Sequence, residues 1–365
     1  MKRSCLQILL TVSVLLSWIT SNGQDYVYRK PAALKDGWET ISIKDISMDT
    51  SKIHAFLNQI KKEETKVHSI LLVKDGAILL EEYLNGYDGE KPHDLRSVTK
   101  SIRSILLGIA IDKGFIQDLN DPISKYLKEP TPKKNLDPRK DQITIKHLIT
   151  MSSGLDCNDW DKKSKGQEDK VYKKKDWVQY TLDLPMINDP GEVSTYCSMG
   201  SLLVAEIIRQ TSGMTIDEFA EKYLFTPLGV SNVLWDHTSE KEVISSGKRL
   251  HMTSRDMAKI GQLILNRGEW NGLQIVSKIW VEQATSTQTQ ITGINYGYFW
   301  WNMNLGSNED PVYAEIATGN GGQYIMVIPK LNLVAVFTGG AYNSQEDKLP
   351  FAIMNNIVLP ALSME

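Results

Sequence analysis

Cysteine and histidine are scarce in this chain, whose 365 residues include three cysteines and six histidines. The histidines do not occur at the short spacings of zinc sites, so we expect no bound metal. Cys5 lies near the N-terminus, which leaves Cys157 and Cys197 in the body of the chain. That pair has two open interpretations, a disulfide or two small buried side chains that never meet. We favour the disulfide because both cysteines lie beside the motifs described below.

The chain also lacks an excess of one charge and any long apolar run after its first residues. Its formal net charge is −3, so nothing in the charge balance points to nucleic acid as a partner. No later apolar run reaches the length of a membrane span, and no internal repeat or separating linker is visible. We therefore expect one domain over residues 24–365 without a stable membrane span. Nothing in the sequence specifies its oligomeric state.

The N-terminus has the pattern of a secretory signal peptide over residues 1–23. Lys2 and Arg3 form a basic start, Leu6 to Trp18 an apolar core, and residues 21–23 a small-residue cleavage point. We therefore expect cleavage there and a periplasmic or secreted mature protein.

Ser97 and Lys100 stand at the start of an apolar run with helical spacing, which is predicted to end near Lys113-Gly114. Residues three apart share one face of a helix. A serine hydroxyl is a weak nucleophile until a base takes its proton, and a desolvated lysine one turn away can be that base. The pair therefore predicts a nucleophile with its base. The simpler alternative is that Ser97 only caps the helix.

Tyr196 and Ser198 precede another predicted helix, from Met199 to Gln210. A tyrosine in such a place is ordinarily a packing residue with a bonded hydroxyl. Beside Lys100, however, it can act as a base or a proton shuttle.

Glycines are concentrated in residues 317–322, directly before a predicted strand over Gln323–Ile328. Glycine lets the backbone approach a ligand closely, and an exposed N–H there can donate to an oxyanion. The simpler alternative is a tight turn into an edge strand.

Strand signals occur at both ends of the chain. His68–Val73 and Ala77–Tyr83 form one predicted hairpin, and Gln323–Ile328 and Leu333–Phe337 form another, whereas residues from about 97 to 265 are mainly helical. We therefore predict an α/β (α+β) fold with an antiparallel sheet built from both chain ends, flanked by helices, and a helical subdomain inserted over about 97–265.

Two other features receive structural interpretations. The lysine-rich stretch Asp161–Lys175 is predicted to be a solvated surface loop, with a basic docking patch as the less favoured alternative. Trp300 and Trp301 alternate on a predicted strand over 296–302, so one is expected in the core and the other at the wall of a cleft.

Taken in chain order, these motifs resemble those of the serine β-lactamase and penicillin-binding protein superfamily. The resemblance rests on Ser97-x-x-Lys100, Tyr196-x-Ser198, the glycine-rich stretch 317–322, and the segments 145–155, 250–257 and 268–272, which are similar to its class C and esterase-like branch. Gly321-Gly322-Gln323-Tyr324 and Trp300-Trp301 are most similar to 6-aminohexanoate-dimer hydrolases. The resemblance spans about residues 65–345 and implies the β-lactamase/D,D-peptidase-like fold.

The resemblance also implies roles for individual residues. Ser97 would be the nucleophile, Lys100 its activating base and Tyr196 the proton shuttle. The groups that would bind the substrate or its oxyanion are the backbone N–H groups of Ser97 and Asn320, together with Ser198, Gly319 and Gly321. The resemblance implies no cofactor.

Two departures from the family pattern bear on activity. The second motif ends in Ser198, where the family usually has asparagine. The third, Ala317-Thr318-Gly319, has no cation, whereas β-lactamases use one there to hold the substrate carboxylate, and no glutamate base of the class A kind is identifiable. We therefore expect an exported serine hydrolase that cleaves small amides or esters through a Ser97 acyl-enzyme. The alternatives are a β-lactamase or peptidoglycan D,D-peptidase, and a catalytically silent binding or sensor protein with the same fold.

Overall fold

The structure is a computed structural model that describes residues 26–237 and 243–362. The predicted signal peptide lies outside the described residues. The strands, in chain order, are β1 (Glu39–Thr40), β2 (Val67–Lys74), β3 (Ala77–Tyr83), β4 (His93–Asp94), β5 (Leu234–Asp236), β6 (Arg249–Met252), β7 (Glu269–Trp270), β8 (Leu273–Gln274), β9 (Thr289–Ile291), β10 (Ile294–Tyr296), β11 (Trp301–Gly306), β12 (Pro311–Gly319), β13 (Gln323–Ile328) and β14 (Leu333–Gly339). The helices are α1 (Thr50–Lys62), α2 (Val98–Asp112), α3 (Ile145–Ile149), α4 (Glu168–Val171), α5 (Trp177–Leu182), α6 (Ser198–Ser212), α7 (Ile216–Ala220), α8 (Thr226–Leu228), α9 (Ser254–Leu265), α10 (Lys278–Thr285), α11 (Leu349–Ile353) and α12 (Leu359–Leu362).

One large sheet organises the fold, with the strand order β1-β3-β2-β14-β13-β12-β11-β10-β9. Neighbouring strands are antiparallel except β1, which runs parallel to β3. Strands from the two ends of the chain meet at the β2–β14 pair, where Ile70 lies opposite Phe337. The predicted sheet built from both chain ends is therefore confirmed, and the parallel β1 makes it a mixed sheet.

Local sequence explains the strands at the centre of this sheet. The β2–β3 hairpin turns at Asp75-Gly76, which have φ values of 53° and 82°. Positive φ values at both positions are what a two-residue turn needs to match the twist of the flanking strands. All residues of β13 and β14 are buried, because helices cover the sheet at these strands. Helix α9 packs against β13, β14 and β2, while α2 packs against β12, α6 and α10. The apolar face of α2 thereby fixes the position of its first turn.

The predicted strand over 296–302 is wrong, because it is divided into β10 and β11. Gly297 donates its N–H to the Trp300 carbonyl at 2.7 Å, and Phe299 has a φ of 63°. The Ser101 hydroxyl, on α2, donates to the Phe299 carbonyl at 2.6 Å. A tertiary contact thus holds a turn within an aromatic run whose local propensity favours a strand.

Along the chain, the helices α2 to α9 and a small sheet of order β4-β6-β5 lie between the N-terminal and the C-terminal strands of the large sheet. The predicted final helix over 349–362 is interrupted by a π-helical stretch, Met354–Val358, between α11 and α12. Across residues 26–237 and 243–362, no helix has both the length and the apolar character needed to cross a bilayer.

Candidate active site

Ser97 immediately precedes α2 and follows Arg96, whose backbone conformation is strained. Arg96 has a φ of 51°, a costly value for a residue with a side chain, and its N–H donates to Asp94 Oδ1 at 2.9 Å. A Cβ on Gly319 would lie 2.4 Å from the Leu95 carbonyl oxygen. Glycine at 319 therefore lets the end of β12 approach the segment that presents Ser97.

The Ser97 side chain bonds to Lys100 rather than capping α2. No capping hydrogen bond from this side chain is found at the start of the helix. Instead, Lys100 Nζ donates to Ser97 Oγ at 2.7 Å, and Lys100 is only 7% exposed. The interpretation of Ser97 as a helix cap is therefore wrong, and the two groups are placed for proton exchange.

Tyr196 lies against this pair inside a stack of aromatic rings. Lys100 Nζ is 5.0 Å from the centroid of the Tyr196 ring. Trp160 stacks on the Tyr196 ring at 5.1 Å and 3° between planes, and Trp301 does so at 5.9 Å and 19°. Trp160 is 55% exposed, whereas Trp301 and Trp300 are both buried. Trp160, which sequence reasoning missed, therefore lies between Tyr196 and solvent.

A disulfide joins Cys157 to Cys197, whose Cα atoms are 5.4 Å apart. It fastens the segment with Asp159 and Trp160 to the one with Tyr196. The Asp159 N–H also donates to the Tyr196 carbonyl at 2.8 Å. These links hold the two loops together beside the start of α6.

Ser198 contacts two carboxylates that sequence reasoning missed. Its hydroxyl lies 2.7 Å from Asp159 Oδ2 and 2.9 Å from Glu168 Oε2, and its backbone N–H donates to Asp159 Oδ2 at 2.8 Å. A hydroxyl has one proton, so both contacts are hydrogen bonds only if one of the two carboxyl groups is protonated. Burial and the nearby Glu168 charge raise the pKa of Asp159 to about 7. The pKa of Glu168 is lowered, so the proton of this pair resides mainly on Asp159 below neutral pH.

The prediction that Asp161–Lys175 is a solvated loop is wrong for part of that stretch. Its lysines are mostly exposed, but Val171 is fully buried and α4 directs Glu168 towards the cavity beside Ser97. Tyr172 lines the same cavity and donates its hydroxyl to Glu168 Oε2 at 2.9 Å. The adjacent Val171 and Tyr172, flanked by lysines, were the signal of a buried turn.

One cavity of about 60 Å³ brings together four of the predicted site residues: Ser97, Lys100, Ser198 and Asn320. Gly319 and Gly321 flank Asn320 and serve close packing, since a Cβ on Gly321 would lie 2.5 Å from the Tyr342 ring. The Asn320 side chain is tied to Asn343, with Nδ2 donating to its Oδ1 at 2.8 Å. Arginines 96, 103 and 249 also line the cavity, and sequence reasoning missed all three.

A serine–lysine pair at the head of a helix, beside a sheet built from both chain ends, places this fold in a known class of hydrolases. Residues 60–352 match the sequence profile of the β-lactamase family. This chain therefore belongs to the β-lactamase family. A solved structure provisionally named a 6-aminohexanoate-dimer hydrolase, from Bacillus anthracis, superposes with a TM-score of 0.67 at 22% identity, over 93% of this chain and 89% of that one.

Two relatives carry names with an activity. The 6-aminohexanoate-dimer hydrolase of Paenarthrobacter ureafaciens is 25% identical over 237 residues, which are 61% of this chain and 58% of the relative's own length. A Salmonella typhi protein provisionally named a D-alanyl-D-alanine carboxypeptidase is 20% identical over 345 residues, covering 76% of this chain and 78% of that protein. The first name describes a hydrolase and the second a carboxypeptidase.

Proposed function

We propose that this protein is an exported serine hydrolase that cleaves small amides or esters through an acyl-enzyme on Ser97. The observation that carries the proposal is the contact of 2.7 Å between Lys100 Nζ and Ser97 Oγ, with Tyr196 alongside. A binding or sensor protein with the same fold has no need for this combination. The N-terminal signal pattern and the Cys157–Cys197 disulfide support export to an oxidising compartment.

Acylation begins when Lys100, acting as the base, takes the proton from Ser97 Oγ. The oxygen attacks the substrate carbonyl, a C–O bond forms, and the negative charge moves to the carbonyl oxygen. The backbone N–H groups of Ser97 and Asn320 bind that oxyanion, and each such donor lowers a barrier of this kind by about 3 kcal/mol. As the intermediate collapses, the bond to the leaving nitrogen or oxygen breaks, and Tyr196 passes a proton from Lys100 to the leaving group.

Deacylation repeats the steps with water as the nucleophile. Tyr196 and Lys100 remove a proton from the water, which attacks the acyl carbon, and the Ser97 oxygen leaves with a proton.

A peptidoglycan D,D-peptidase is the second candidate, and the Salmonella typhi relative favours it. The missing cation in Ala317-Thr318-Gly319 counts against it. A fluorescent penicillin distinguishes the two functions. Stable labelling of Ser97 supports the peptidase, and rapid ester turnover without labelling supports the general hydrolase.

Hydrolysis of p-nitrophenyl acetate and butyrate by the mature protein tests the proposal. We expect Ser97→Ala to lower kcat by about a thousandfold or more, since removing the nucleophile of such a unit removes most of its catalysis. Ser245→Ala is the matched control because Ser245 begins the other Ser-x-x-Lys of the chain, and it should keep wild-type activity. Undiminished activity in a folded Ser97→Ala variant would overturn the proposal.

A further inference from the structure

The cavity at Ser97 is rich in cations although the third motif has none. Apart from the base Lys100, its lining side chains include three arginines, Arg96, Arg103 and Arg249, against one carboxylate, Glu168. Arg103 is buried and its guanidinium donates to neutral acceptors, the Ser201 hydroxyl and the carbonyls of Ser246 and Lys248. The space in which a substrate would lie is therefore lined by more arginines than carboxylates.

Arg96 is the cation of this group that is placed to meet a substrate. It is adjacent to Ser97 in the chain, it lines the cavity together with Asn320, and its side chain is 27% exposed. Its guanidinium lies over the Tyr342 ring, 4.6 Å from the centroid, and the tyrosine is at the surface. Stacking on an aromatic face orients the planar guanidinium and leaves its edge open to an anion.

Arg96 shares its carboxylate partner, Asp94, with Arg249. The Arg96 Nε atom is itself buried and lies 3.0 Å from Asp94 Oδ2. Its geometry does not form a hydrogen bond with Asp94 or with any other described residue. Asp94 accepts two hydrogen bonds from Arg249, at 3.3 Å to Oδ1 and 3.0 Å to Oδ2. Asp94 is thus shared between Arg96 and Arg249.

Building on the proposed function, we infer that Arg96 binds an anionic group of the substrate, so that the preferred amides or esters carry a carboxylate near the scissile bond. A guanidinium and a carboxylate match in geometry and can form two parallel charge-assisted hydrogen bonds. Arg96 lies close to the glycine-rich third motif, because the Tyr342 ring on which it stacks also packs against Gly321. It is a specificity residue and takes no part in proton transfer.

Two matched ester pairs test the inference. The first pair puts the charge on the acyl group: mono-p-nitrophenyl glutarate against p-nitrophenyl valerate. The second puts it on the leaving group: 3-carboxy-4-nitrophenyl butyrate against p-nitrophenyl butyrate. Rates in the Ser97→Ala variant are subtracted, because a neighbouring carboxylate speeds spontaneous hydrolysis. The readout is the ratio of kcat/KM for the anionic ester to that for its neutral partner, which does not depend on the folded fraction.

In at least one pair we expect the wild type to prefer the anionic ester by about tenfold, the size of one charge-assisted hydrogen bond. Arg96→Gln should remove that preference, Arg96→Lys should retain part of it, and added salt should weaken it. Arg29→Gln, which changes an exposed arginine elsewhere, is the charge-matched control and should leave the ratio unchanged.

The outcomes separate this inference from the proposed function. If the wild type hydrolyses none of the four esters, the proposed function fails. If it hydrolyses them with Ser97 but shows no preference for the anionic ester in either pair, the inference about Arg96 fails alone. A preference that Arg96→Gln leaves intact also overturns the inference, because another cation would then bind the anion.

Discussion

Replacing both Cys157 and Cys197 by alanine tests how far the disulfide stabilises the fold and the site. The bridge joins residues 40 apart in the sequence. In the chain-entropy treatment, closing a loop of that length adds about 4 kcal/mol to the free energy of unfolding. With an unfolding entropy of about 2.1 cal/mol/K per residue, the described chain loses about 6 °C in melting temperature when that contribution is removed.

The same variant should lose activity at temperatures where it is still folded. The bridge holds Asp159 and Trp160 against the loop that carries Tyr196 and Ser198, so its removal lets these groups separate. Scanning calorimetry gives the melting temperature, and hydrolysis of p-nitrophenyl butyrate gives kcat/KM. Both quantities should decrease, because the bridge acts on the global fold and on the geometry beside Lys100.

Reduction of the wild type supplies the control for this experiment. A reductant should lower the melting temperature of the wild type towards that of the double alanine variant and should leave the variant itself unchanged. If wild type and variant melt at the same temperature without reductant, and the reductant changes neither, the bridge does not constrain the chain and the reasoning is refuted.

Three further substitutions test parts of the site. The pKa of Asp159 is raised to about 7 in the folded state, above its unfolded value of about 3.9. Between these pH values the folded state holds more protons than the unfolded state, so the free energy of unfolding falls as the pH rises. Asp159→Asn cannot titrate, so relative to the wild type it should gain stability from pH 4 to pH 7; parallel urea midpoints at the two pH values would contradict this. Trp160→Ala should lower kcat/KM several-fold while changing stability by less than about 1 kcal/mol, because the ring is half-exposed and stacks on Tyr196 and Trp301; unchanged kinetics would show that the stack has no role. Gly319→Ala should cost about 1–3 kcal/mol of stability and lower kcat, because the new Cβ must displace the Leu95 carbonyl; a variant with wild-type melting and turnover would show that the close approach is not needed.

The elements that were predictable from the sequence have local causes. The β2–β3 hairpin follows from a two-residue turn at Asp75-Gly76 between apolar runs. Helix α2 was predictable from the spacing of its apolar residues. It ends where predicted, with Lys113 as the C-cap residue and Gly114 in the left-handed region at a φ of 76°. The order of the motifs was enough to predict the fold because two of them mark the starts of α2 and α6 and the third ends β12 of the main sheet.

The parts that were not predictable depend on contacts between distant segments. Glu168 and Tyr172 lie in a stretch whose lysines dominate its composition, and only the folded chain brings Glu168 within 2.9 Å of Ser198. The division between β10 and β11 depends on a hydroxyl from α2, Ser101, that lies almost two hundred residues earlier in the sequence. Pattern and propensity describe a segment and its neighbours, so they do not report such pairings.

The central claim is that catalysis proceeds through an ester on Ser97, and intact-protein mass spectrometry tests it most directly. The mature protein is mixed with p-nitrophenyl butyrate, quenched in acid within the first turnover and weighed, with Ser97→Ala treated in parallel. We predict a mass increase of one butyryl group in the wild type, mapped by peptide sequencing to Ser97, and none in the variant. Ester hydrolysis without any adduct, or with an adduct on another residue that persists in Ser97→Ala, would contradict the account.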